Sequence, residues 1–190
     1  MLERTIKSYK YERSTPIRFK IPPQGLLDKK FCERINEEIL EYSTGGWEKK
    51  KATESLGSSL PETSGIYIFT WAPYFQLSMD EGEKIESIRM VLYIGKAGGD
   101  NNSNLSKRYN SEYSKIVQKY PDFHWSNSEL KTREEKIQQV LNLWDLEYWF
   151  AVFKNDKHIL RIEKALIKLY NPPANKIYTT YKVGKPTNAF

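Results

Sequence analysis

The sequence predicts an α+β domain: a small three-stranded antiparallel sheet flanked by helices, with a helical arm ahead of it. Three observations point there. Two β-rich runs, GIYIFTW at residues 65–71 and IRMVLYI at 88–94, are near enough in sequence to pair as antiparallel neighbours, and a third, LEYWFAVF, follows at 146–153. Segments with helical periodicity stand before, between and after them. At 190 residues and 39% hydrophobic content there is apolar material for one core, which excludes a disordered chain.

Taken in order, residues 1–23 read as an extended arm with mixed charge, ended by Pro22 and Pro23. Residues 26–42 read as an amphipathic helix, because Leu27, Phe31, Ile35 and Ile39 recur every four residues. Gly45 and Gly46 end it, and 49–64 reads as a linker. After the first strand, 72–87 is a polar connection, and after the second comes the loop Gly98 to Ser103. Asn104 is the expected N-cap of a helix to about 119, with Leu105, Tyr109, Tyr113, Ile116 and Val117 on its buried side. Residues 121–131 are irregular, 132–143 and 157–170 are helical, and Asn171 with Pro172 and Pro173 stops the last helix.

Composition removes several chemistries. Cys32 is the single cysteine, so neither an intrachain disulfide nor a multi-thiolate zinc site can form, and a buried helix position suits it better than a nucleophile's role. His124 and His158 are the only histidines and have no zinc-hydrolase spacing. No run of about 18 apolar residues occurs, so no membrane helix is expected, and the opening MLERTIKSYKYER lacks a secretory apolar core. The expectation is a cytoplasmic protein. The net charge of +6 is unevenly spread: residues 1–60 carry 12 basic against 9 acidic residues, 61–150 carry 10 against 13, and 151–190 carry 8 against 2. Basic ends around a mildly acidic middle suit contact with phosphates, although such charge also serves solubility.

Two triplets concentrate the chemistry: Gly65-Ile66-Tyr67 and Tyr93-Ile94-Gly95. Either alone arises by chance about once in 10⁴ positions. Together, with Lys96-Ala97 after the second, Leu105-Ser106-Lys107-Arg108 on the next helix, and Glu163 followed twelve residues later by Asn175, the chain resembles the GIY-YIG nuclease family over about residues 61–176. The closing Tyr170 to Asn175 is similar to the end of the nuclease domain in the excision-repair nucleases of that family. One departure stands out: family members often place a tyrosine or histidine four residues after the arginine. Here that position is Glu112, and a one-residue insertion would put Tyr113 in the role.

The resemblance implies an arm and helix over 1–60 for DNA contact or dimerisation, a nuclease domain over 61–176 and a basic tail over 177–190. It implies a DNA endonuclease dependent on Mg²⁺, with Mn²⁺ as a substitute and Glu163 as the metal ligand. Double-stranded DNA is the partner and a homodimer the means of cutting both strands. Of the possible jobs, a stand-alone type II restriction enzyme fits the chain's size, ahead of a repair or homing nuclease. A nucleic-acid-binding module without catalysis is the alternative of another class.

The residue types suit the reaction. Phosphodiester hydrolysis needs an activated water, a charge clamp and help for the leaving oxygen. One carboxylate with waters suits Mg²⁺; the plainer role for Glu163 is a surface acid paired with Lys164 or Lys168. Arg108 offers a planar fork and Lys96 a point charge. Tyr67 is the expected general base with Tyr93 beside it, provided that nearby cations lower a phenol pKa of about 10. Asn175 either orients a water or backbone segment or simply shapes the turn after Pro173. A competing pattern, Pro121-Asp122 with Glu134-Glu135-Lys136, matches PD-(D/E)xK nucleases in letters, but its second half has helical rather than strand periodicity.

Overall fold

The structure is a computed structural model that describes residues 17–22, 27–73, 76–77, 86–99, 103–119 and 132–175. Most of the arm, the 121–131 stretch with Asp122 and His124, and the tail from Lys176 lie outside the described residues. The elements in chain order are α1 (Lys29–Tyr42), β1 (Glu48–Lys51), β2 (Gly65–Trp71), β3 (Gln76–Leu77), β4 (Glu86–Ser87), β5 (Met90–Ala97), α2 (Leu105–Glu112), α3 (Arg133–Leu141), β6 (Leu146–Val152) and α4 (Ile159–Tyr170). Short 3₁₀ turns occupy Leu56–Ser59 and Asp156–His158.

The main sheet has four strands, not the expected three, in the order β1-β6-β2-β5, with every neighbour antiparallel. The added strand is Glu-Lys-Lys-Lys, which begins the stretch read as a linker. Its side chains carry no apolar alternation because it is an edge strand, and backbone pairing with β6 places it there. The rest of that stretch is also packed: Ala52, Leu56 and Leu60 are buried. The polar connection after β2 contains the two-residue β3–β4 ladder.

β2 lies at the centre, and its first six residues are all buried, as a strand covered on both faces requires. Tyr67 and Phe69 point to one face with Tyr93, Tyr148 and Phe150, beneath α2, α3 and the Leu56–Ser59 turn. Ile66, Ile68, Ile94 and Ala151 face the other way, beneath Ile35 and Ile39 of α1 and Ile162 and Leu166 of α4. The result is helices, sheet, helices. The first half-core is aromatic and polar-edged, and the second is aliphatic.

The local signals mostly act as expected. Asp28 caps α1 by accepting from Phe31 N at 2.9 Å, so the helix starts later than the apolar stripe and leaves Leu27 84% exposed. Cys32 is half-buried on α1. The Asn104 side chain accepts from Lys107 N and starts α2, which ends at Glu112, well short of 119, because Tyr113 turns inward. Thr132 and Glu135 form a reciprocal capping box at the start of α3. Asn171 ends α4 in the left-handed region at φ 44°, which asparagine tolerates, and Pro172 and Pro173 forbid continuation. β5 runs on to Ala97, three residues past its expected end. Among the described residues, no helix is long and apolar enough to cross a membrane.

Candidate functional site

The two triplets face one another across the β2–β5 pair. The register sets Tyr67 opposite Gly95 and Gly65 opposite Ala97. The phenol of Tyr67 lies over Gly95, where a β-carbon would overlap its hydroxyl and ring. A β-carbon at Gly65 would strike the Ala151 carbonyl and the Leu105 side chain. Each glycine therefore makes room, one for a ring and the other for a crossing strand and helix.

Tyr67 is fully buried, and its Oη is 2.6 Å from that of Tyr113. Tyr113, the residue just past α2, is thus the side chain that joins the pair, while Glu112 pairs with Arg108 at 2.7 Å. Burial pushes the Tyr67 phenol well above its usual range and Tyr93 adds to the rise, while Arg108 and the hydrogen bond to Tyr113 pull down without prevailing. Tyr113 is raised as well, first by burial and then by Tyr67. The lowered pKa expected of Tyr67 is therefore not what its surroundings produce, because desolvation outweighs the neighbouring cation.

In front of this buried pair, at the β5 edge, opens a polar cleft of about 150 Å³. Tyr93, Lys96, Arg108, Arg133 and Glu163 line it, with Gly98 and Ser103. The strand geometry explains how they meet. Tyr93 projects to the aromatic face and Lys96 to the aliphatic face, so only at the edge can helices from both layers reach one space. α2 brings Arg108, α3 brings Arg133 and α4 brings Glu163. Of the expected site residues, Tyr93, Lys96, Arg108 and Glu163 share the cleft, Tyr67 and Tyr113 lie buried away from it, and Asn175 is elsewhere.

Glu163 is half-buried in the cleft, which distinguishes it from a plain surface acid. Burial raises its carboxyl pKa, and Lys96, Arg108, Lys164 and Arg133 lower it through space. The Lys96 ammonium donates to Gly98 O at 3.3 Å, and Gly99 N is held by Asp156 at 2.7 Å, which ties down these two glycines after the strand. The Nε of Arg108 is buried without a partner among the described residues.

Arg133 is the cleft residue that sequence reasoning missed. Its Nη2 donates to Tyr93 Oη and its guanidinium lies 5.4 Å from the centre of that ring. The only local signal was its place in the capping box, which fixes a helix start and says nothing about a partner 40 positions away.

Asn175 acts on the backbone. Its side chain accepts from Ile94 N at 2.9 Å and donates to Ile94 O at 2.8 Å, while Ala174 N donates to Leu92 O. It thereby orients the strand that carries Tyr93 and Lys96. The competing acid-acid-lysine pattern falls on helix α3, where the Glu135 carboxylate is occupied in capping Thr132 N.

Among the described residues, no three histidine, cysteine or acidic side chains gather as a metal site. A metal here would rest on Glu163 as its carboxylate, with water completing the shell. That is the habit of Mg²⁺ and unlike the closed protein sites of Zn²⁺. A larger groove of about 390 Å³, lined by Phe19, Ile21, Cys32, Val91, Leu169 and others, has no carboxylate among the described residues. Comparison with protein-family models, curated proteins and solved structures gives no match to the chain.

Proposed function

We propose that the protein is a metal-dependent endonuclease that hydrolyses DNA phosphodiester bonds, a stand-alone restriction enzyme resembling the GIY-YIG nucleases. One observation carries the reading: a half-buried carboxylate, Glu163, the only one lining the cleft among the described residues, shares that small space with two guanidiniums, an ammonium and a phenol. Cations of this kind neutralise a phosphate, and the lone acid suits a hydrated Mg²⁺.

When bound, Mg²⁺ would supply charge stabilisation at the scissile phosphate. Arg108 and Lys96 bind its oxygens and position it, and Tyr93, whose oxygen reaches the cleft, holds the attacking water. Tyr67 sits behind as a buried support for Arg108 through the phenol pair. Two copies on one duplex would cut both strands.

The test is a plasmid assay with Mg²⁺ or with EDTA, wild type beside Glu163→Gln. Nicking or linearisation by the wild type alone, and only with Mg²⁺, supports the reading. Intact supercoiled DNA across varied salt and sequence refutes it and leaves a binding module.

A further inference from the structure

We propose that Arg133 contacts phosphate in this cleft, a second guanidinium that grips the nucleic-acid backbone. The proposal deepens the nuclease reading and rests on it. The two arginines of the cleft are not equivalent. Arg108 has its charge answered by Glu112 at 2.7 Å, whereas the bond that positions Arg133 is to the Tyr93 hydroxyl and not to a carboxylate. The carboxylate within ion-pair reach of Arg133 among the described residues is that of Glu134, at the outer limit of 4.0 Å and 70% exposed, so it neutralises little. Lys96 donates to the Gly98 carbonyl and faces the Glu163 carboxylate through space.

The described lining carries Lys96, Arg108 and Arg133 against the one carboxylate of Glu163, which faces all three, and Arg133 is the guanidinium not already paired with an acid at short range. A guanidinium has five N–H donors in one plane. Tyr93 takes one of them and holds the plane beside its ring, leaving donors that line the cleft in the fork geometry that fits two phosphate oxygens.

The test is fluorescence anisotropy of a short labelled duplex in EDTA, so that no cleavage occurs, across a series of salt concentrations. Arg133→Gln should weaken binding about tenfold and lower the slope of log affinity against log salt by about one. Arg133→Lys should keep the wild-type slope and bind more weakly, since a point charge replaces the fork. Unfolding curves check that each variant is folded. If Arg133→Gln does not fold, Arg133→Lys decides: weaker binding with the slope kept supports the proposal, and unchanged affinity overturns it. A wild-type slope and affinity in Arg133→Gln overturns the proposal while leaving the nuclease reading standing. A wild type that binds no duplex overturns both.

Discussion

Tyr67→Phe removes one oxygen from a place that solvent does not reach. The hydroxyls of Tyr67 and Tyr113 lie 2.6 Å apart, with Tyr67 wholly buried and Tyr113 1% exposed. Deleting one leaves the other as an unpaired buried polar group, which costs about 1–3 kcal/mol. Deleting both removes the orphan as well, so Tyr67→Phe with Tyr113→Phe should cost less than the sum of the single losses. The singles should also differ. Tyr113→Phe leaves the Tyr67 oxygen beside the Arg108 guanidinium, whereas Tyr67→Phe strands the Tyr113 hydroxyl and also takes that oxygen from Arg108, which keeps Glu112. Tyr67→Phe should therefore be the worse, with a loss of about 2 kcal/mol lowering Tm by roughly 4–8 °C. Tyr148 supplies the control: its ring stacks on that of Tyr67, but its buried hydroxyl has no partner among the described residues. Tyr148→Phe should be neutral or stabilising, because it discards an uncompensated desolvation. Urea unfolding of these variants measures all the terms. Strict additivity in the double variant, or a Tyr148→Phe loss equal to that of Tyr67→Phe, would refute the reasoning.

Three further outcomes are expected. Burial raises the folded-state pKa of Glu163 above 4.5, so the native state holds its proton more tightly than the unfolded chain, and stability falls as pH rises from about 4.5 through the folded value. Glu163→Gln should thus gain stability relative to wild type over that rise in EDTA; a difference that is flat with pH would contradict the shift. Gly95→Ala drives a methyl into the Tyr67 ring and should cost about 1–3 kcal/mol while altering the near-ultraviolet circular dichroism; an unchanged spectrum and stability would refute the close approach. Asn175→Ala strips both bonds from Ile94 and should cost about 1–3 kcal/mol, and Asn175→Asp should fail to restore it at neutral pH because the carboxylate would face the Ile94 carbonyl. Full stability in Asn175→Asp would show that the donated bond matters little.

The sequence was most informative where local patterns and tertiary demands coincide. Residues 65–71 read as a strand because β2 is buried on both faces, and the caps at Asn104 and Asn171 depend on neighbours a few positions away. β1 was illegible because three consecutive lysines carry no pattern, and only β6 makes them a strand. The early end of α2 was hidden for a similar reason: Tyr113 leaves the helix to meet Tyr67, a contact spanning 46 residues. At the site, the triplets and their followers led to Lys96, Arg108 and Glu163, which do share a cleft. Strand alternation gave the face of Tyr67 but not its depth, so its burial and the resulting rise in pKa came only with the packed helices. Arg133 carried no sequence signal toward Tyr93 at all.

Asn175 has a consequence beyond the cleft. By donating to and accepting from Ile94, its amide does what one residue of an adjoining strand would do, so the outer rim of β5 is spoken for at that point. The opposite rim, β1, is only four residues long and bears Lys49, Lys50 and Lys51, whose charges repel a like strand. Among the described residues, the Asn175 amide occupies one border of the main sheet at Ile94 and the lysines guard the other, which disfavours extension by another molecule's backbone at those points.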